Sequence, residues 1–290
     1  MATPKHSVKD SKKSASTADE ASLNSSEAKI KAQPQSQSAK RQTISFVVFL
    51  LAWVLVAMTA SQLVIGVIMV ALLQDNFNQP FWTFIYYGLT YVVSLLLVLY
   101  IPPRLYSLFT QHFLQKKTQN KTTNHSNPLK LNPEELGMQH APTFVDIGLA
   151  PIGYVVYIAL SMLFTTIMSV FTWFNANEAQ DVGFSYYLTG SNRIIAMIAL
   201  VFIAPIAEEI IMRGWLYGKL RSRLPLPLAI VLTSILFGFL HGQWNVGVGV
   251  FALSLVLCSL REITGTIWSG ILLHILSNGI AFYLLYIGGV

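Results

Sequence analysis

From residue 44 onward, long apolar runs alternate with short polar connections. Seven runs can be marked, and most approach the roughly 20 apolar residues that a helix needs to cross about 30 Å of hydrocarbon. They cover residues 44–73, 81–102, 148–172, 193–212, 226–242, 246–260 and 266–288. This pattern predicts an all-α protein, a polytopic transmembrane helical bundle of about seven spans.

The polar segments divide the chain further. Residues 1–43 are rich in Ser, Ala, Lys and Gln, a composition that predicts a disordered, basic cytoplasmic tail. Two amino-terminal spans follow in 44–102, then a cytoplasmic loop in 103–147, then a core of about five transmembrane helices in 148–290. Within the loop, Asn132-Pro133-Glu134-Glu135 predicts a short helix, with an N-cap, a first-position proline and acids in the first turn.

Basic residues mark one side of the predicted membrane. Every Lys and Arg except Arg193 falls in the tail, in the loop 103–147, in residues 213–225 or at Arg261, all of which share one side. Because basic residues collect on the cytoplasmic side, the amino terminus is predicted to be cytoplasmic. The net charge of +6 is then explained by topology and by attraction to anionic lipid. We expect an integral, multi-pass protein of the cell (plasma) membrane, with the lipid bilayer and no nucleic acid as a partner.

Ionisable residues inside the apolar runs are few. Each costs at least about 2.5 kcal/mol at the centre of a membrane helix, so each is a candidate for a functional role. They lie in the last third of the chain, together with one amide: Glu208, Glu209, Arg213, His241, His274 and Asn278.

The two adjacent glutamates have different predicted roles. On a helix, Glu209 and Arg213 are four residues apart on one face, with the acid first, which is the favourable order for an ion pair. Glu208 points about 100° away, without a local cation, and can act on another group. The alternative for these residues is a charged helix end that extends to the cytoplasmic interface.

Two histidines lie on later spans. Phe237 and His241 share a helix face, as do His274 and Asn278. Polar groups on an apolar helix need partners within the bundle, because lipid offers none. The alternatives are an interfacial or hydrogen-bonded histidine at His241 and a structural polar contact between helices at His274 and Asn278.

A carboxylate, two imidazoles and an amide together favour hydrolysis. The carboxylate and an imidazole can deprotonate a water, or the imidazoles can help to hold a metal that does so. The remaining donors can stabilise the oxyanion that forms. The chain has no H-E-x-x-H sequence, so the zinc site typical of soluble metalloproteases is absent.

Three motifs on successive spans, E-E-x-x-x-R, F-x-x-x-H and H-x-x-x-N, are all complete and in order. They are Glu208-Glu209-Ile-Ile-Met-Arg213, Phe237-Gly-Phe-Leu-His241 and His274-Ile-Leu-Ser-Asn278. With them the chain resembles the CPBP family of intramembrane proteases, which includes the type II CAAX prenyl protease and the Abi-like bacteriocin-immunity proteins. The resemblance covers residues from about 130 to 288, and leaves out the tail and the first two spans.

The resemblance implies that Glu208 and His241 activate a water, and that His274 and Asn278 form an oxyanion hole. It also implies that Glu209, Arg213 and Phe237 are supporting residues. Whether zinc takes part stays open at this point. If zinc is bound, Glu208, His241 and His274 are its candidate ligands.

The expected function is therefore an intramembrane endopeptidase that cleaves a membrane-associated or lipidated protein or peptide. The alternatives are a non-catalytic scaffold or bacteriocin self-immunity protein of the same fold, and a proton-coupled transporter. Counted from the span ends, His241 lies deeper than Glu208. For the two to meet, we expect the fourth helix to continue past Gly214 toward Leu220 and the fifth to begin near Pro225.

Overall fold

The described part of the chain consists of helices and the turns and loops that connect them, without a strand. The computed structural model describes residues 10–74, 79–114, 127, 129–178, 184, 188 and 190–288. Its helices are α1 (Asp10–Leu73), α2 (Pro80–Leu114), α3 (Pro133–Leu136), α4 (Phe144–Met168), α5 (Gly190–Arg221), α6 (Leu226–Phe239), α7 (Trp244–Thr264) and α8 (Trp268–Tyr286).

The predicted fold class, a polytopic helical bundle, is confirmed. Six described helices are long and apolar enough to cross a membrane: Lys40–Leu73 of α1, Pro80–Leu105 of α2, and all of α4, α5, α7 and α8. The remaining predicted span is shorter than expected. Helix α6 has 14 residues, or about 21 Å at 1.5 Å per residue, less than the hydrocarbon thickness.

Helix α1 includes part of the amino-terminal segment for which a tail is predicted. The structure extends α1 back to Asp10, so residues 10–43 are helical, while residues 1–9 lie outside the described part. The prediction of a disordered tail rests on the low hydrophobicity of this segment. The segment is also rich in Ala and Lys, which have high helix propensity and therefore favour the helix. Backbone contacts divide the chain into Met1–Phe49 and Leu50–Val290, and the second unit contains every site residue discussed below.

The short predicted helix of the cytoplasmic loop is present as α3. Asn132 caps it by accepting a hydrogen bond from the Glu134 backbone N–H at 3.1 Å. Helix α3 is tied to the ends of α5 and α7, since Glu135 pairs with Lys219 and its carbonyl accepts from Arg261 at 2.9 Å. We call this part of the molecule, defined by Lys219, Arg221 and Arg261, the basic end of the bundle.

Helix α5 has the course that we expected from the depths of the first and second motifs. It continues past Gly214 to Arg221, and α6 begins at Leu226. Two stretches of α5, Ile198–Ile203 and Ile210–Leu216, have π-helical hydrogen bonding. Such wide turns are frequent at functional sites.

Helices α6 and α7 form a tight hairpin whose backbones touch near its turn. A Cβ atom at Gly238 would lie 2.6 Å from the Gly247 carbonyl oxygen, and one at Gly247 would lie 2.8 Å from the Gly238 carbonyl oxygen. Small residues at such a crossing let membrane helices approach closely. The hairpin turn contains His241, so this contact helps to position it.

Gly238→Ala is expected to destabilise the protein by about 1–3 kcal/mol, because the added methyl group forces the hairpin apart. Thermal unfolding in detergent measures the effect. Gly148→Ala is the matched control, since a Cβ at Gly148 meets nothing within 4 Å. Equal unfolding temperatures for the two variants would contradict the close crossing.

Candidate active site

The three motifs meet at one cavity of about 710 Å³ inside the bundle. Helix α5 contributes the first motif, the end of α6 the second and α8 the third. The residues of the cavity lining that bear on the site include Tyr91, Glu208, Phe237, His241, His274 and Asn278. Sequence analysis predicted all of these except Tyr91.

Glu209 joins the first and third motifs. Its Oε1 atom accepts from Arg213 Nη1 at 2.8 Å, as the four-residue spacing predicted, and lies 3.0 Å from His274 Nδ1. Glu209 and Arg213 are fully buried, and His274 is 3% exposed. Gly270 of α8 leaves room for this carboxylate, because a Cβ there would lie 3.0 Å from Glu209 Oε2. Glu209 is thus committed to a buried network.

Glu208 faces the cavity instead. Its Oε1 atom accepts a 2.5 Å hydrogen bond from the Tyr91 hydroxyl, and its Oε2 atom lies 3.8 Å from His274 Nε2. Among the described residues no Lys or Arg forms an ion pair with it. The two adjacent carboxylates therefore have different environments, because one residue along a helix turns the side chain by about 100°.

Each histidine is held by one ring nitrogen. His241 Nδ1 lies 2.8 Å from the Phe237 carbonyl oxygen, to which it can only donate. In the neutral ring this leaves Nε2 as an acceptor. His274 Nδ1 donates to the Glu209 carboxylate, which directs its Nε2 toward Glu208. A carboxylate or carbonyl on one nitrogen sets the role of the other.

Phe237 contacts both rings and the buried cation. Its ring centroid lies 5.1 Å from that of His241 and 5.9 Å from that of His274, both edge to face. The Arg213 guanidinium carbon lies 4.4 Å from the same centroid, within cation–π range. Phe237 therefore packs the second motif against the first and the third.

Asn278 bonds to the backbone of α5. Its Nδ2 atom donates to the Leu200 carbonyl at 2.9 Å. In the π-helical register the Ala204 N–H bonds to Ala199, five residues earlier. The next bond in that register would join residue 205 to Leu200, but Pro205 has no N–H. Asn278 supplies the missing donor and keeps its second amide hydrogen.

Tyr91 is the site residue that sequence analysis missed. It lies on α2, outside the region of the family resemblance, and its hydroxyl bonds to Glu208. One signal was present, since a tyrosine hydroxyl within a membrane span needs a polar partner in the bundle. Which group serves as the partner of Tyr91 depends on how α2 packs against α5, and the sequence does not give that packing.

The candidate zinc ligands do not form a metal site. Among the residues that the structure describes, no three His, Cys, Asp or Glu side chains are placed to hold a metal ion. The residues present thus do not fit a zinc site, and no reaction step below depends on one.

Comparison with known families agrees with the motifs. Residues 190–280 match the family described as type II CAAX prenyl endopeptidase Rce1-like. The matched segment contains all three motifs and runs from the start of α5 into α8. It confirms the family resemblance predicted from them. Searches of curated proteins and of solved structures found no match.

The two glutamates are expected to differ in their contribution to stability. Glu209→Gln should destabilise the protein by about 3–5 kcal/mol, because it leaves the Arg213 charge buried without its partner. Glu208→Gln, its neighbour on the cavity side, should change stability by less than about 1 kcal/mol, since the amide oxygen can still accept from Tyr91. Thermal unfolding and the yield of folded protein measure both. Equal losses would contradict the division between a structural and a cavity-facing carboxylate.

Proposed function

We propose that this chain hydrolyses a peptide bond of a membrane-associated or lipidated protein, because residues 190–280 match the family described as type II CAAX prenyl endopeptidase Rce1-like. The observation that carries the proposal is the cavity-facing carboxylate of Glu208. It lies 3.8 Å from His274 Nε2 and lines the same cavity as His241, and each of these histidines has its Nδ1 atom already bonded. The matched family consists of peptide hydrolases, which supports the reaction class. The apolar helices support a location in the lipid bilayer.

Water activation is assigned to Glu208 and His241. A water in the cavity donates one hydrogen to the Glu208 carboxylate and can donate the other to His241 Nε2. The Tyr91 hydroxyl, bonded to Glu208 Oε1 at 2.5 Å, fixes the orientation of the carboxylate. Transfer of a proton to Glu208 then releases a hydroxide equivalent, which attacks the carbonyl carbon of the substrate.

Stabilisation of the oxyanion is assigned to His274 and Asn278. Each is anchored through one donor, His274 Nδ1 to Glu209 and the Asn278 amide to Leu200. The second amide hydrogen of Asn278 remains for the tetrahedral intermediate, and His274 Nε2 can donate to it when both nitrogens of the ring are protonated. In its doubly protonated form His274 also offsets the second carboxylate of a cluster in which Arg213 neutralises only one.

The leaving group receives the proton that water gave up. As the carbon–nitrogen bond breaks, protonated Glu208 or His241 transfers its proton to the departing amine. The products are a new carboxylate, which contains the water oxygen, and a new amino terminus. Atoms and charge balance without a redox partner, and Glu208 returns to its ionised form.

Glu208→Gln and His241→Ala are each expected to lower hydrolysis by about 10²–10⁴-fold, the usual effect of losing an acid–base group. The assay uses purified protein in lipid nanodiscs with a farnesylated CAAX peptide. In parallel, membranes with active and Glu208→Gln protein are compared by mass spectrometry for new peptide termini. Cleavage in H₂¹⁸O should place one heavy oxygen in the new carboxylate.

Glu262→Gln is the control variant, because Glu262 pairs with Arg221 at the basic end, outside the cavity lining. It should keep wild-type activity. If the Glu208 and His241 variants are folded and as active as the wild type, the enzyme proposal is wrong. A non-catalytic scaffold or immunity role then takes its place.

Tyr91→Phe is expected to lower kcat by about 10- to 100-fold, since a hydrogen bond to a charged group contributes about 1.5–3 kcal/mol. Tyr91 is a positioning residue that acts through Glu208, so KM should change much less than kcat. Tyr100→Phe on the same helix lies outside the cavity lining and is the control. A change in KM alone would show that Tyr91 only contacts substrate.

A further inference from the structure

Helix α4 has a row of hydroxyl groups on one face. Tyr157, Ser161 and Thr165 follow one another at intervals of four residues, so their side chains lie along one side of the helix. All three line the cavity that contains Glu208 and His274. We call these three residues the hydroxyl stripe. Apolar residues of α4 are exposed on the outside of the bundle, among them Val155, Val156, Met162, Leu163 and Ile167.

The hydroxyl stripe begins beside the third motif. One turn before it, a Cβ atom at Gly153 would lie 2.9 Å from a leucine side chain of α8, so α4 and α8 are in close contact there. One turn later the Tyr157 hydroxyl interacts with the side chains of Ser161 and Ser277. Ser277 belongs to the third motif and also lines the cavity. The stripe therefore starts next to the residues to which the oxyanion is assigned.

The middle of the stripe is left uncovered by α7. A Cβ atom at Gly249 would lie 3.6 Å from Ser161 Oγ, and both residues line the cavity. Because glycine has no side chain, the Ser161 hydroxyl keeps its access to the cavity. Each hydroxyl has one donor and two acceptor positions, so a group that already has one partner can bond a second.

Thr90 of α2 adds another hydroxyl to the cavity wall. It is 4% exposed and lines the cavity. Among the described residues, its hydroxyl oxygen has no partner in hydrogen-bond geometry. Buried polar groups of this kind are normally paired, so Thr90 favours a polar occupant of the cavity over an apolar one.

The spacing of the stripe matches the backbone of an extended peptide. Four residues of α-helix rise about 6 Å, and two residues of extended chain cover about 6.7 Å. In an extended chain the backbone N–H and C=O groups of every second residue point to the same side. The stripe is about 12 Å long, so it can bond alternate residues of a segment of about four. Lipid offers such a backbone no partners.

We propose that the hydroxyl stripe binds the backbone of the substrate as an extended segment next to the cleaved bond. This inference rests on the proposed function and narrows its substrate class. A helical segment has its backbone groups already paired and offers the stripe no partners. The substrate is therefore a peptide that is extended over about four residues in the cavity. Since backbone groups are bound, this contact does not depend on the side chains of the substrate.

Tyr157→Phe, Ser161→Ala and Thr165→Val each remove one hydroxyl, and hydrolysis of the farnesylated CAAX peptide is measured for each in lipid nanodiscs. KM should rise by about 2- to 10-fold, the usual effect of losing a neutral hydrogen bond. Because the bond is present in both the bound substrate and the transition state, kcat should stay within about twofold. Thr165→Ser keeps the hydroxyl and should keep the wild-type KM.

Thr166→Val is the matched control. Thr166 is exposed, donates to the Met162 carbonyl at 2.8 Å and lies outside the cavity lining. Its variant should have wild-type KM and kcat, and thermal unfolding verifies that all variants are folded. An unchanged KM in the three stripe variants, or a fall in kcat in place of the rise in KM, would overturn the inference and leave the enzyme proposal standing.

Peptides with one ester in place of an amide test the extended conformation. Each ester removes one backbone N–H, and the ester is moved along the four residues next to the cleaved bond. Losses of affinity should be large at every second position and should shrink in Ser161→Ala, where a hydroxyl partner is already missing. Equal losses at neighbouring positions would contradict an extended segment on the stripe.

Peptide binding to Glu208→Gln separates this inference from the enzyme proposal. The Glu208→Gln protein should bind the farnesylated CAAX peptide as tightly as the wild type, and adding Ser161→Ala should weaken binding by about 2- to 10-fold. Undiminished hydrolysis by Glu208→Gln, together with weaker binding by the stripe variants, would refute the mechanism and leave the stripe in place. Equal binding with and without Ser161→Ala would overturn the inference.

Discussion

The fully buried carboxylate of Glu209 is the contact on which the rest of the site depends. It neutralises Arg213 one turn along α5 and holds His274 of α8 by Nδ1, so one oxygen joins two motifs that are 65 residues apart. Removing a charge from such a network leaves its partner buried in apolar surroundings, which costs far more than an exposed ion pair. With Glu209 committed, the neighbouring Glu208 is left to face the cavity, where it bonds the Tyr91 hydroxyl and lies 3.8 Å from His274 Nε2.

The irregular hydrogen bonding of α5 serves the same site. A π-helical stretch and Pro205 leave the Leu200 carbonyl without a backbone donor, and an unsatisfied carbonyl is costly in a membrane protein. Asn278 satisfies it from α8, which fixes the amide beside the cavity. The same side chain thus has a structural contact and a free donor, and the two roles need not compete.

The small number of charged residues bears on both the membrane topology and the proposed mechanism. Only 11% of the residues are charged, and nearly all the basic ones collect at one side. Glu208 and His274 line the cavity inside the bundle. Water-activating groups can lie within an apolar bundle only where a cavity admits water.

The sequence by itself determined the helical membrane fold, the Glu209–Arg213 spacing and the three motifs, because apolar run length and helical periodicity are local properties. Helix α1 begins at Asp10, within the segment predicted as a tail, and α6 has 14 residues, since neither propensity nor run length alone decides where a helix begins and ends. Only the tertiary structure decided that Tyr91 bonds Glu208, that His274 bonds Glu209 and that Asn278 bonds Leu200. Each of these contacts joins helices far apart in the chain, and their geometry depends on packing and on a π-helical register that no local pattern encodes.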